Sequence, residues 1–433
     1  MRLVSSLISL GLAASVSAAP IAVEPLVRTG ESYKGIAGEV IGIAPDSRIN
    51  NSGQWTFEVV ANNADGSLAG RYLVAYDGVR FDPTVGIPFN KDLTIGPVFM
   101  PTAFGSINNH GQVAVTVSGP TFNSAGEFFG TRSMLVVDDH VVLRSGDSHP
   151  FGGTYPSDFG DSKSILVDDG SLLVNFDLFS NPFANEDTVI RLTPGMGRSY
   201  EQSVSLAPGM AIEDGYFVRS TNRALWGSFD HNQFGDTVHA AITTNDDFDT
   251  AGSILLNGQF VARDGETQLF DNGLLSIFPN RVAINDNADF VYLAIAQSSE
   301  WEGGRYTVIK NADEVVWVDD GSTPDLAGKT FAAFMGTHLS LANSGDVFWQ
   351  GDFFDAMGAR YTAVFRNSQM LATTDPSIDG ALRLDELLSF DASDNGEWLI
   401  FDTESGVFRA QIPSPAAMTV LALGVLPALR RRP

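Results

Sequence analysis

The chain has 433 residues, 52 acidic side chains against 26 basic ones, a formal charge of −26 and no cysteine. Hydrophobic residues make up 44%, enough for a large core, which excludes an acidic disordered tail protein. Without cysteine there is no disulfide scaffold, thiolate zinc site or cysteine nucleophile. The acidity argues against a nucleic-acid partner, which calls for a basic face.

Residues 1–18 read as a secretory signal peptide. Arg2 precedes an apolar stretch from Leu3 to about Ala14, and Val16 and Ala18 suit the −3 and −1 places of a cleavage site. The expected destination is outside the cytoplasm, at the cell surface or extracellular.

From residue 19 to 412 a short pattern recurs: an apolar residue, Asn or Asp, two variable residues, Gly, a polar residue, then an apolar run. It stands complete at Asn50 to Gly53 and Asn108 to Gly111, and in weaker copies centred on Gly170, Gly235, Ala288, Gly345 and Gly396. These seven positions lie 58, 59, 65, 53, 57 and 51 residues apart. Asn and Gly at this spacing suit a type I turn whose last residue is left-handed, the hairpin loop with a glycine bulge. The run after each Gly is apolar at both parities, as expected for a strand covered on both faces.

A hairpin follows several copies, as in residues 134–147, 253–266 and 306–322, with Asn257-Gly258 a strong turn signal. Arg144-Ser145-Gly146-Asp147 and Arg263-Asp264-Gly265-Glu266 end two of these alike. Arg28-Thr29-Gly30-Glu31 carries the same ending with no repeat copy before it, while the last copy stops without one. The N-terminal strand is thus the missing outer strand of the last unit, which closes a circle and hides its edges. Seven units of about four strands predict an all-β, seven-bladed β-propeller. Tandem β-sandwiches are the alternative, but they predict neither uniform spacing nor a split terminal unit.

Residues 413–433 form a second address. Pro413-Ser414-Pro415 precedes the uncharged, mostly apolar run from Ala416 to Leu429, then three arginines. A helix of that run would span roughly 21 Å at ~1.5 Å per residue, short of the roughly 30 Å bilayer core, so membrane attachment would be transient. The arginines would stay on the cytoplasmic side. This layout resembles the PEP-CTERM sorting signal, although Ser414 stands where that family usually has Glu. The repeat is similar to the NxxGxxF-type tandem repeats of bacterial surface proteins bearing that signal. The resemblance implies secretion, surface display and an exosortase-like processing partner acting near Pro413, Ser414 and Pro415. It implies no chemistry.

No residue constellation declares a reaction. Asp391 to Gly396, with Asp402 in the twelfth place, fits the spacing of a calcium loop on paper. Residues 397–401 read as a buried strand, however, through which ligands do not converge. Asn245-Asp246-Asp247-Phe248-Asp249 is a denser acidic cluster on a loop between strands, read as a solvated loop ahead of a calcium candidate. None of the six histidines sits in a triad or zinc motif. The Ser-x-Asp-x-Gly box of sialidase-like propellers fails, with Ile49 and Ile107 in the Ser place. Trp301 in a loop is the candidate sugar-stacking platform. No catalytic, cofactor-binding or metal-ligating residue is therefore assigned, with calcium the one cofactor kept in view.

The expectation is a surface-sorted, non-catalytic structural or binding module, with polysaccharide or other envelope components as partners. An extracellular carbohydrate-active enzyme is the alternative. Two or three carboxylates with arginines or aromatics lining the axial channel would favour the enzyme, and a featureless channel the module.

Overall fold

A computed structural model describes residues 21–412, apart from residues 37, 64, 97–99, 160–161, 178–186, 198, 214, 221–228, 271, 277–280, 302 and 335–338. Ala18, Pro413, Ser414, Pro415 and His338 lie outside the described residues.

Among the described residues the strands form seven separate sheets, antiparallel throughout except where Leu382–Arg383 pairs parallel with Gln369–Thr373. In chain order they occupy residues 39–81, 87–144, 164–206, 217–263, 274–318, 330–383 and 389–411, and are called blades 1 to 7. Each runs from an inner strand outward. In blade 1 these strands are Glu39–Ile49, Trp55–Asn62, Leu68–Ala75 and Gly78–Phe81. Blades 2, 4, 5 and 6 have their inner strand in two pieces, as in Phe217–Ser220 and Phe229–His231, both paired to Thr237–Thr244.

Blade 7 supplies only three strands from its own end of the chain. Its fourth is the N-terminal strand Ala22–Arg28, which pairs antiparallel with Gly406–Gln411, Ala22 opposite Gln411 and Arg28 opposite Gly406. The chain is therefore a seven-bladed β-propeller closed by its first strand. The shared ending is a shared turn. Glu31, Asp147 and Glu266 donate their N–H groups to the carbonyls of Arg28, Arg144 and Arg263.

Seven apolar clusters fill the seven junctions between blades. Val27, Ile400 and Val407 meet Trp55, Phe57 and Val59 between blades 7 and 1. Between blades 5 and 6, Trp349 stacks on Phe365 at 4.3 Å and meets Trp317 at 4.6 Å. The second strand of each blade lies between two such clusters. That is why Trp55–Asn62, Val113–Asn123 and Val347–Phe354 are buried at nearly every position of both parities.

Candidate functional site in the axial channel

The repeated turn joins the inner strand to the second strand in every blade, so seven copies ring one mouth of the axial channel. All seven fourth positions are left-handed: Gly53 (φ 71), Gly111 (77), Gly170 (81), Gly235 (94), Ala288 (61), Gly345 (87) and Gly396 (69). Gly53 has a second reason to lack a side chain, since a Cβ there would come within 2.7 Å of the Trp398 indole.

The turn asparagine does more than shape its own turn. Asn50 Oδ1 accepts the N–H groups of Ser52 and Gln54 at 3.0 and 2.9 Å. Its Nδ2 donates to the carbonyl of Asn108 in the next blade at 2.8 Å. Asn108 repeats this onto Val167 O, Asn232 onto Asn285 O, and Asn285 onto Ala342 O. Asp could accept within the turn but has no proton to give to the neighbour. The following residues make a second belt. Asn51 N donates to Asn109 Oδ1, Asn109 N to Asp168 Oδ1, Asp286 N to Asn343 Oδ1, and Asn395 N to Asn51 Oδ1. Blades 3 and 4 are joined through His231 Nε2, which donates to Ile165 O, and through Arg191, which donates to Gly235 O.

Deeper in the channel a third tier satisfies the free edges of the inner strands. Ser106 Oγ accepts the N–H of Leu166, Asp230 Oδ2 that of Ile284, and Asp391 Oδ2 that of Ile49, each in the next blade. Asp402, fully buried, takes the N–H groups of Asp46 and Ser47 and the hydroxyls of Ser47 and Ser389. It holds a bulge in which Asp46 has φ 126.

These tiers enclose a polar cavity of about 180 Å³ into which Arg48, Lys163 and Arg281 project from blades 1, 3 and 5. Arg48 pairs with Asp391 at 3.7 Å. Burial, then the Arg48 charge, brings the Lys163 ammonium down to about 8. Burial pushes the Asp230 carboxyl up to about 6 against the pull of Lys163. Asp394 opens to water at the mouth. Even so, the surrounding protein, with Asp286, Asp391 and Asp230, pushes it up to about 7, opposed by its hydrogen bond from Asn109. Burial lowers His231 to about 4 and His239 to about 3, so both are neutral.

The channel is thus not featureless: it holds carboxylates beside arginines, a pattern that favours an enzyme. What those carboxylates touch alters the reading. Asp230 and Asp391 accept main-chain N–H groups of adjacent blades, so they serve ring closure. The cavity is also smaller than the roughly 300–1,000 Å³ usual for small-molecule sites.

Other candidates disperse. Asp391, Asp394 and Asp402 face Arg48, Asn109 and the Ser47/Ser389 pair respectively, so the paper calcium loop has no common centre. Among the described residues no group of three metal-ligating side chains converges. The cluster Asn245 to Asp249 is a hairpin turn, with Phe248 at φ 63 and Asn245 Oδ1 accepting the N–H groups of Asp247 and Asp249. The Trp301 ring stacks on Phe270 at 5.5 Å and carries the Arg305 guanidinium over it at 4.3 Å, so it serves internal packing. Ser205 Oγ meets His239 Nε2 at 3.1 Å, but His239 Nδ1 has no carboxylate to orient it.

A second set of turns of the same design, outside the period of the first, stands at Asn63 to Gly66, Asn123 to Gly126 and Asp355 to Gly358. They join the second and third strands, on the face opposite the asparagine ring. That face also carries the exposed side chains of Leu68, Phe128, Phe151, Phe248 and Met357. The Asn-x-x-Gly signal was present, but its spacing from the first set varies with strand length.

No protein-family model and no curated protein matches the chain. Solved structures share its general course. YCF48 bound to D1 peptide is 10% identical, covering 92% of this chain and 97% of that one, with a TM-score of 0.39. The Dos1 propeller is 10% identical over 90% and 89%, TM-score 0.31. The C-terminal WD40 domain of Sif2 is 9% identical over 90% and 99%, TM-score 0.33. At these scores the seven-sheet ring rests on the chain's own strand pairing.

Proposed function

We propose that this propeller is a non-catalytic binding module displayed outside the cell, with envelope or matrix polysaccharide as its partner. The observation that carries this is the engagement of the axial carboxylates. Asp230 and Asp391 are bound to N–H groups of Ile284 and Ile49, and the space beside them is too small for a sugar chain. Display is supported by the secretory N-terminus and the Pro-Ser-Pro, apolar, triple-arginine tail. Ala22 and Gln411 are register partners at the asparagine-ring end of blade 7. An anchored tail would therefore hold that face toward the envelope and turn the opposite loops outward.

The test has two parts. Envelope polysaccharide from the native host should co-sediment with the full chain and release no new reducing ends. Release that disappears in Asp230→Asn would replace the module with the enzyme. Intact mass of the mature protein should show residues 1–18 and the apolar tail gone, and retention of residues 416–433 would sink the sorting reading.

A further inference from the structure

Blade 1 breaks a rule that blades 2, 4, 5 and 6 keep. In blades 2, 4, 5 and 6 the turn between third and fourth strands begins with Asp138, Asn257, Asn311 or Asn367, all left-handed at φ 50 to 54. Each side chain accepts the N–H of the first residue of the second strand: Val113, Thr237, Phe290 and Val347, at 2.8 to 3.2 Å. Each main-chain N–H returns a bond to the same residue's carbonyl. In blade 1 the main-chain half survives, with Tyr76 N donating to Trp55 O at 3.0 Å. The side chain, however, is a phenol, which cannot reach back to cap its own turn. Blade 3 departs as well, its turn closing through Gly195 N to Ser199 O, whereas blade 1 keeps the main-chain bond and changes only the side chain, a local departure that points to use of that position.

Tyr76 is 37% exposed and lines a cleft of about 420 Å³ between blades 7 and 1. The polar groups around it are held in place. Gln54 Oε1 is taken by Asn50 Nδ2, which turns the Gln54 amide N–H groups away from that bond. Arg409 is spent on Glu24 and on Gly53 O and lies over the Trp398 ring. Glu24 uses one oxygen for Arg409, so its charge is neutralised while the other oxygen remains an acceptor. The Ser52 hydroxyl lines the same wall. In the next blade, Gly111 leaves room at the Tyr76 hydroxyl, where a Cβ would stand 2.6 Å away.

We infer that this cleft binds a neutral oligosaccharide of the cell's own surface. The inference rests on the binding-module reading and adds its site and ligand class. The cleft combines an exposed aromatic ring, a fixed amide donor, a hydroxyl and a carboxylate acceptor. Its one charge pair is internally balanced, so a polyhydroxylated ligand without charge is favoured over an anionic one. Glu24 and Arg409 come from the two strands that close the ring, and the cleft lies on the face where both chain ends leave. An envelope-held propeller would present it to the envelope.

The experiment is calorimetric titration of the full chain, in mild detergent, with cellohexaose, laminarihexaose, mannohexaose and a galacturonic-acid hexamer. At least one neutral hexamer should bind, and the anionic hexamer should bind at least tenfold more weakly. Tyr76→Ala and Gln54→Glu, which keeps the acceptor used by Asn50, should each weaken binding at least tenfold. Tyr76→Asn installs the residue type of blades 4, 5 and 6, and should lose binding while melting no lower than the parent. Unchanged affinity in these variants would overturn the site and leave the module reading standing. Absence of binding by every neutral hexamer, or equal binding of the anionic one, would overturn the ligand class. A failure of the module reading shows itself separately, as no co-sedimentation or as turnover of envelope polysaccharide.

Discussion

Asn50 donates its side-chain amide to the main-chain carbonyl of Asn108, 58 residues away, at 2.8 Å. The equivalent turn on the opposite face, at Asn63, keeps its amide on Ser67 of the same turn. The two sites separate turn formation from ring formation. Asn50→Asp and Asn108→Asp should each cost about 1–3 kcal/mol, because a buried carbonyl loses its donor and meets a carboxylate. Asn63→Asp, exposed and local, should stay within about 0.5 kcal/mol. Urea unfolding of the three variants checks this, and equal losses at all three would remove the inter-blade role.

Ala288 is the one repeat copy with a side chain at the left-handed position, at φ 61. Ala288→Gly should stabilise by about 0.5–1 kcal/mol. Gly53→Ala should destabilise by about 2–3 kcal/mol, adding the Trp398 clash to the backbone cost. A stabilising Gly53→Ala, measured by thermal melting, would contradict this turn geometry.

Deleting residues 22–28 exposes the edge of Gly406–Gln411 and removes Val27 from the blade 7–1 cluster. An unpaired edge of this kind recruits other chains. The truncated protein should elute at a larger size than the full chain, or aggregate. A truncation that unfolds cooperatively and elutes with the full chain's association state would show that closure by the first strand is dispensable.

Glu58 lies in the second strand of blade 1. Burial pushes its carboxyl up to about 8, with Arg71 at 4.0 Å opposing and Asp46 reinforcing the rise. The folded state therefore holds this proton more tightly than the unfolded chain does. Its contribution is fully present below the ordinary carboxylate range and lost as pH rises through about 8. Glu58→Gln, neutral at all pH, should melt like the parent near pH 5 and progressively higher than it between pH 6 and 9. A constant difference across that range would assign the effect to packing.

Chelation should not shift the melting temperature. Asp391, Asp394 and Asp402 are already held by Arg48, Asn109 and two serines, and they diverge. A midpoint lowered by EDTA and restored by calcium would overturn this.

The period, the left-handed fourth position of each turn, the two-sided burial of the second strand and the orphan outer strand that closes the ring were all legible in the residues. These are local properties: φ preference and side-chain parity act within a few residues, so they are written in consecutive letters. Tertiary structure alone decided what the turn asparagines donate to, since Asn50 and Asn108 meet only after two blades pack. It also decided that Arg48, Lys163 and Arg281, from three separate units, share one cavity, and that Asp391 and Asp402 part company around a strand. Trp301 looked free in its loop until Phe270 and Arg305 covered it. Tyr76 lies between the two levels. Its departure from Asn was visible in the letters, but its meaning required seeing which turn it occupies and which cleft it lines. The physical reason is distance along the chain. Contacts between blades join residues some fifty or more positions apart, and only packing fixes which of them touch.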